Sequence, residues 1–160
     1  MADLAKEILD TLASDWLPRV YRDRVLKTRT RSYHFGDLSR NARVEIQHTL
    51  LGVELKSGRR RFLCPDLATA RYLSVFARAG CEDVAIPYDI TQLSAIADEL
   101  ESSWQRLLLL IECKAAEQSS VMRTRIRRLL IAKLRTEIAA AGAGPAIPEF
   151  NQCTKQRRAS

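Results

Sequence analysis

Residues 44–64, VEIQHTLLGVELKSGRRRFLC, decide the fold that the sequence predicts. Ser57-Gly58 has the composition of a tight turn, and residues 61–64 follow it as a short returning strand. Before the turn, side chains alternate at the two-residue period of a strand: Thr49, Leu51, Val53 and Leu55 against Leu50, Gly52, Glu54 and Lys56. The stretch therefore predicts a β-hairpin.

Directly after the hairpin, the sequence predicts a buried helix and a further strand. Pro65-Asp66 opens a segment that is apolar on nearly every side, and Gly80 ends it in the manner of a C-terminal cap. The apolar run at residues 84–86 has the length of a strand, and Pro87 places that strand at an edge or an end.

Two long helices are predicted in the C-terminal half. Thr91 caps the first, which covers residues 91–117 with apolar side chains on a three-four repeat. Residues 119–141 form the second, a basic helix, and the short polar break between the two predicts an antiparallel helical hairpin. Residues 142–160 are rich in Ala, Gly and Pro and end in basic residues, which predicts a flexible basic tail.

The N-terminal part completes an α+β fold. Residues 3–16 have the spacing of an amphipathic helix, and alternation between residues 29 and 35 predicts a strand before the turn at Gly36-Asp37. We therefore expect a small sheet with a central hairpin, flanked by helices and followed by the helical hairpin. Residues 1–118 form the α/β core in this prediction, with helix 119–141 packed on it.

The net charge of +7 is distributed unevenly along the chain. Residues 18–78 hold fourteen Lys and Arg against five acids, and residues 119–160 hold nine against two. Between them, residues 79–118 hold two against eight. Two basic segments thus bracket an acidic one, an arrangement that favours either an anionic partner or pairing within the molecule.

Several site classes find no support in the residues. No stretch reaches the ~18 uncharged apolar residues of a membrane span, so no membrane partner is predicted. Four cysteines without CxxC spacing predict reduced thiols and a cytoplasmic location. His34 and His48 lack the spacing of metal ligands, to each other or to cysteine, so these side chains predict no metal site.

Two arginine clusters favour contact with nucleic acid. Arg59, Arg60 and Arg61 fall at the tip of the predicted hairpin, where guanidinium groups can meet phosphates. On the basic helix, Arg127 and Arg128 have Arg123 and Arg135 one to two turns away. The alternative is that these side chains face solvent or pair with the carboxylates of residues 98–117.

The hairpin, together with the helix and strand after it, resembles the core of the PD-(D/E)xK nucleases, most closely the archaeal-type Holliday junction resolvases. The similarity covers VELKS (53–57), FLC (62–64), YLSVFARAG (72–80) and the strand at Val84. It implies a Mg²⁺-dependent nuclease in which Glu54 and Asp37 hold the metal and Lys56 activates water, with Glu7 as a further acid. In this register the strand after Glu-x-Lys is the return of the hairpin and does not lead into the helix. In a second register Glu54 replaces the first Asp and Asp66 is the second acid, but Ala68 stands where the lysine belongs, so neither register completes the catalytic set.

The sequence thus leaves three functional hypotheses. The first is a basic cytosolic protein that binds nucleic acid without catalysis, through Arg59, Arg60, Arg61, Arg123, Arg127 and Arg128. The second is an adaptor that docks a protein partner, or dimerises, through helices 91–140. The third is the Mg²⁺-dependent, structure-specific nuclease, and only this one requires a cofactor.

Overall fold

A computed structural model of the protein, which describes residues 2–36, 38 and 43–143, confirms the predicted α+β class. Its helices are α1 (Ala2–Leu12), α2 (Leu17–Val20), α3 (Leu67–Ala79), α4 (Ile90–Lys114) and α5 (Ser120–Ala141). Its strands are β1 (Thr30–His34), β2 (Val44–Thr49), β3 (Gly52–Ser57), β4 (Arg60–Cys64) and β5 (Asp83–Pro87). A 3-10 turn (Ala13–Asp15) precedes α2, and a π-helical turn (Tyr21–Val25) continues it. Asp37 and the predicted tail from residue 144 onward lie outside the described residues.

The predicted hairpin is the second half of a three-stranded antiparallel meander, β2-β3-β4. The alternation in the sequence predicts one strand through residues 49–56, but the chain turns at Leu50 and Leu51. The hydroxyl of Thr49 closes this turn, because it accepts from the backbone N–H of Leu51 at 3.2 Å and donates to the carbonyl of Gly52 at 3.1 Å. Gly52 has a φ of +128°, which favours glycine and makes the turn possible despite the two leucines.

The remaining strands, β1 and β5, form a separate two-stranded antiparallel sheet. An aromatic cluster connects it to the meander. Phe35, just after β1, lies edge-on to Phe62 of β4 with ring centroids 5.4 Å apart, and Tyr33 lies 5.0 Å from Phe35. These ring contacts, together with the packing of the meander on α3, position the β3–β4 hairpin.

Helix α3 forms the centre of the core. Its N-terminus is capped by the Asp66 carboxylate, which accepts from the N–H of Thr69 at 2.7 Å, and it ends at Gly80 in the left-handed conformation. It contacts β2, β3 and α4, and nine of its thirteen residues are buried, as its apolar sequence predicts. The C-terminal end of α3 is thereby placed next to α4 and α5.

Helix α5 is held by one buried stripe. Ile126, Leu130, Leu134 and Ile138 recur every four residues and are all buried, while the arginines of the helix lie off this stripe. At its end, the Tyr21 hydroxyl donates to the carbonyl of Gly142 at 2.6 Å and accepts from the N–H of Ala85 at 2.8 Å. No helix within the described ranges is long and apolar enough to cross a bilayer.

Candidate functional site

A groove of about 1080 Å³ lies between α5, α4, the end of α3 and the start of β2. Arginines dominate its charged lining, and they come from three separate parts of the chain. The six are Arg43, Arg78, Arg125, Arg127, Arg128 and Arg135. We call this feature the basic groove.

The spacing of α5 explains how one helix contributes four of these arginines. With Ile126 and Leu130 turned into the core, Arg125 and Arg128 lie three residues apart on the side of the helix that faces the groove. Arg135 follows seven residues after Arg128 and therefore lies on the same stripe. Its guanidinium donates to the carbonyl of Ala79 at 3.5 Å, which ties α5 to the end of α3.

Apolar side chains lie among the arginines. Trp104 of α4 is buried, with the Arg78 guanidinium 5.9 Å from its ring centroid. Leu108 and Ile131 are half-buried in the lining, and Leu129 is 43% exposed. The basic groove thus offers both positive charge and aliphatic surface to a ligand.

Three of the four carboxylates of α4 pair with arginines that lie outside α5. Asp98 pairs with Arg71, and Glu99 accepts from Arg24 at 2.9 Å. The sequence allowed a different pairing, in which the acids of α4 neutralise the arginines of α5. In the structure, Asp98 and Glu99 pair with arginines of other elements instead.

Glu101 of α4 pairs with Arg78, one of the arginines that line the groove. Partial burial raises the pKa of this carboxyl, but the hydrogen bonds and charge of Arg78, together with Gln105, outweigh burial and lower that pKa overall. Glu101 therefore stays ionised at neutral pH and neutralises Arg78 in part.

The other groove arginines differ in their pairing. Arg43 pairs with Glu45 at 3.0 Å, but its side chain remains 88% exposed. Among the described residues, no carboxylate comes within ion-pairing distance of Arg125, Arg127 or Arg128. Arg135 also has no carboxylate within ion-pairing distance among the described residues, so these four guanidinium groups of α5 form the uncompensated part of the basic groove.

The hairpin arginines do not form a single surface. The N–H of Gly58 donates to the carbonyl of Arg43 at 3.3 Å, so the exposed Arg59 stands beside the rim of the groove. Arg60 lies over the ring of Phe62, with its guanidinium 5.2 Å from the centroid. Arg61 lies on the opposite face of the strand, 3.8 Å from the Glu54 carboxylate.

Sequence reasoning identified part of this site. Arg127 and Arg128 were predicted and line the groove, whereas Arg123 is half-buried one turn earlier and does not line it. Arg43, Arg78 and Arg125 were not among the predicted site residues. For Arg125 the signal was its three-residue spacing from Arg128; Arg43 and Arg78 reach the groove only through tertiary packing.

The residues named by the nuclease resemblance are partly together. Glu54 and Lys56 lie on the same face of β3, as the resemblance requires. Asp37 lies outside the described residues, and Glu7 of α1 binds Lys114 of α4 at 2.9 Å. Within the described ranges, no three His, Cys, Asp or Glu side chains gather into a group able to hold a metal ion.

Cysteine chemistry is disfavoured for the two buried thiols. Burial raises the pKa of Cys81 to about 12, with the nearby charge of Arg135 acting in the opposite direction. Burial also raises the pKa of Cys64, with the charge of Asp66 acting in the same direction. Both side chains therefore remain protonated thiols near neutral pH, the form that is neither a nucleophile nor a metal ligand.

The helices proposed as a docking surface expose some apolar side chains. Leu109 of α4 is 63% exposed, Val121 of α5 is 62% exposed, and Leu110 is half-buried. These residues leave the adaptor hypothesis open.

Comparison with known proteins gives this chain no relative: no family model, no curated protein and no solved structure matches it. Its function must therefore be argued from the basic groove itself.

Proposed function

We propose that this protein binds nucleic acid through the basic groove, by contacts to the phosphate backbone and without catalysis. The observation that carries the proposal is the presence of Arg125, Arg127 and Arg128 in one groove with no carboxylate partner among the described residues. Guanidinium groups bind phosphates through paired hydrogen bonds as well as charge. Nucleic acid is the abundant ligand that offers phosphates in a row at close spacing.

The charge distribution of the fold supports this proposal. Asp98, Glu99 and Glu101 of α4 pair with Arg71, Arg24 and Arg78, so these acids do not compensate the arginines that α5 places in the groove. Arg59 at the hairpin tip stands beside Arg43 and extends the positive surface past the rim of the groove. A ligand held in the groove thus meets further positive charge where it leaves.

The test is the salt dependence of binding, measured by fluorescence anisotropy with labelled DNA and RNA. In the double variant Arg127→Gln/Arg128→Gln, the slope of log K against log salt should fall by about 1.5, because each phosphate contact contributes about 0.7–0.9. The matched control is Arg19→Gln/Arg22→Gln, which removes the same charge from two exposed side chains beside a separate cleft near Trp16. The proposal fails if wild-type protein binds no nucleic acid at low salt, or if both variants weaken binding equally.

A second candidate function is docking of a protein partner through α4 and α5, supported by the exposure of Leu109. In that case the wild-type chain should self-associate or retain a partner at a concentration where Leu109→Asp does not. Sedimentation velocity over a range of concentrations distinguishes a dimer from a monomer. A monomer at all concentrations whose Leu109→Asp variant keeps all of its interactions argues against this candidate.

A further inference from the structure

The shape of the basic groove bears on which form of nucleic acid it takes, an inference that rests on the proposed function. The arginines reach the groove from α5, from the end of α3 and from the start of β2. A ligand in the groove therefore meets guanidinium groups from more than one side. The basic side of α5 faces into a concavity and does not protrude from the molecule.

This recessed arrangement disfavours double-stranded ligands. Duplex DNA is read by an element that projects into its major groove, which is about 12 Å wide and admits a whole helix. Here the stripe that carries Arg125 and Arg128 is flanked by Trp104 and Leu108 of α4, and by Val44 at the start of β2. The recess has the volume of a large small-molecule site, for which the usual range is about 300–1,000 Å³, and that suits a few nucleotides.

The aliphatic part of the lining favours a single strand. A duplex turns its phosphates outward and hides the faces of its bases in the stack, so Leu108, Leu129 and Ile131 gain nothing from it. An unpaired strand exposes base faces, and single-strand sites combine a positive groove with aromatic side chains on which the bases stack. In the basic groove, aliphatic side chains take the place of those aromatic ones. Trp104 is buried beneath Arg78, so of the residues lining the groove the aliphatic ones are available to the bases.

We infer that the basic groove binds a single strand of nucleic acid, with phosphates on the arginines and bases against Leu108, Leu129 and Ile131. Contacts of this kind use neither base edges nor aromatic stacking. The preference among base sequences is therefore weak, and DNA and RNA strands differ only through the 2′-hydroxyl.

The experiment compares unstructured pyrimidine strands of DNA and of RNA with duplexes of the same length in anisotropy titrations. A length of about 12 nucleotides lies inside the range of about 4–16 found for single-strand sites. We expect the single strands to bind at least tenfold more tightly than the duplexes at equal salt, roughly the contribution of one or two additional contacts per strand.

Two variants separate the parts of the groove. Leu129→Ala should weaken single-strand binding several-fold with an unchanged salt slope and leave duplex binding as it is. Leu109→Ala is its control, because Leu109 is exposed on α4 and does not line the groove. Arg43→Gln should lower the single-strand salt slope by about 0.7, the contribution of one phosphate contact.

The possible results are distinguishable. Equal or tighter binding of duplex, with no effect of Leu129→Ala or Arg43→Gln, overturns the single-strand inference and leaves the proposed function standing. If the protein binds neither single strands nor duplexes, both the single-strand inference and the proposed function are wrong. Thermal melting of the Leu129→Ala and Arg43→Gln variants confirms that each binding change is measured on folded protein.

Discussion

Helix α5 directs three closely spaced arginines into the basic groove, and the β3–β4 hairpin carries three in a row, but the two surroundings differ. On α5, Arg125 and Arg128 share a stripe, and Arg127 lines the same groove. In the hairpin, Arg60 and Arg61 are neighbours in sequence but belong to opposite faces of β4, as alternation along a strand requires. One region concentrates its charge and the other divides it.

The groups that contact these arginines also differ between the two regions. The Glu54 carboxylate of β3 lies 3.8 Å from the Arg61 guanidinium, and the Arg60 guanidinium lies over the ring of Phe62. Beside α5, the α4 carboxylates Asp98 and Glu101 pair with Arg71 and Arg78, which belong to α3. A run of arginines therefore forms one uncompensated positive surface only when the local geometry gathers the side chains and the nearby carboxylates pair elsewhere.

The largest effect is expected from the stripe that positions α5. Leu130→Ala should lower the free energy of unfolding by about 2–5 kcal/mol, because Leu130 is fully buried and its truncation leaves a cavity. The neighbouring Leu129→Ala should cost less than about 1 kcal/mol, since Leu129 is 43% exposed. Urea denaturation measures both values. Equal costs at the two positions would show that α5 is not oriented by its buried stripe.

The C-terminal end of α5 depends on Tyr21. Tyr21→Phe removes the bond to Gly142 and leaves the buried N–H of Ala85 without its acceptor, so it should cost about 1–3 kcal/mol at neutral pH. Tyr88→Phe is the matched control, because Tyr88 is exposed. Denaturant titrations at pH 7 test this difference, and a Tyr21→Phe protein as stable as wild type contradicts it.

The same hydroxyl predicts a dependence on pH. Burial raises the pKa of Tyr21 to about 12, although the hydrogen bond from Ala85 favours the phenolate and opposes the rise. Below pH 10 the phenol is neutral in both folded and unfolded chains, so its stabilisation is complete; between pH 10 and 12 only the unfolded chain ionises, and the stabilisation is lost. Wild type should thus lose more stability than Tyr21→Phe over this interval, in denaturant titrations at stepwise alkaline pH. Parallel curves for the two proteins would refute the assignment.

Matched double variants test the two arginine regions directly. Arg127→Gln/Arg128→Gln should weaken nucleic-acid binding by roughly tenfold or more at moderate salt, because two phosphate contacts are lost. Arg59→Gln/Arg61→Gln removes the same charge, but we expect a loss below about threefold, since Arg61 lies beside Glu54 and only Arg59 stands near the groove. An equal loss in anisotropy titrations would mean that the hairpin belongs to the site as fully as α5 does.

The sequence predicted most elements of the fold, and the reasons for its failures are local. Alternation and helical periodicity located β3, β4, α3 and the helical pair. The turn at Leu50 and Leu51 escaped because leucine is not a turn-forming residue and only Gly52, with the hydroxyl of Thr49, provides the geometry. The N-cap of α4 is Asp89, whose carboxylate accepts a hydrogen bond from the backbone N–H of Thr91. The cap therefore lies two residues before the predicted cap, Thr91.

The basic groove was predictable only on its α5 side. Helical periodicity predicts which residues share a face of α5, and the 3.6-residue period places Arg125, Arg128 and Arg135 on one stripe. Arg43 and Arg78 arrive from elements distant in sequence, through packing of α3 between the meander and α4. Their place beside α5 depends on tertiary contacts that no local pattern encodes.

The smallest change in stability is expected for Glu54→Gln. The pair with Arg61 is separated by 3.8 Å and Arg61 is 59% exposed, so its loss should cost less than about 1 kcal/mol in urea denaturation. Loss of this carboxylate also leaves Arg61 without its acidic partner. The hairpin then carries more uncompensated positive charge, as α5 does, and nucleic-acid binding should become slightly stronger.

Glu54→Gln also decides between binding and the nuclease hypothesis. If the protein only binds, neither wild type nor the variant cleaves branched, duplex or single-stranded DNA with Mg²⁺, and gel assays show intact substrate in both. A nuclease needs the Glu54 carboxylate as a hard oxygen ligand for the ion, so its amide substitution abolishes cleavage while the folded state persists. Wild-type cleavage that Glu54→Gln and Lys56→Ala both remove would therefore make β3, and not α5, the functional centre of the molecule.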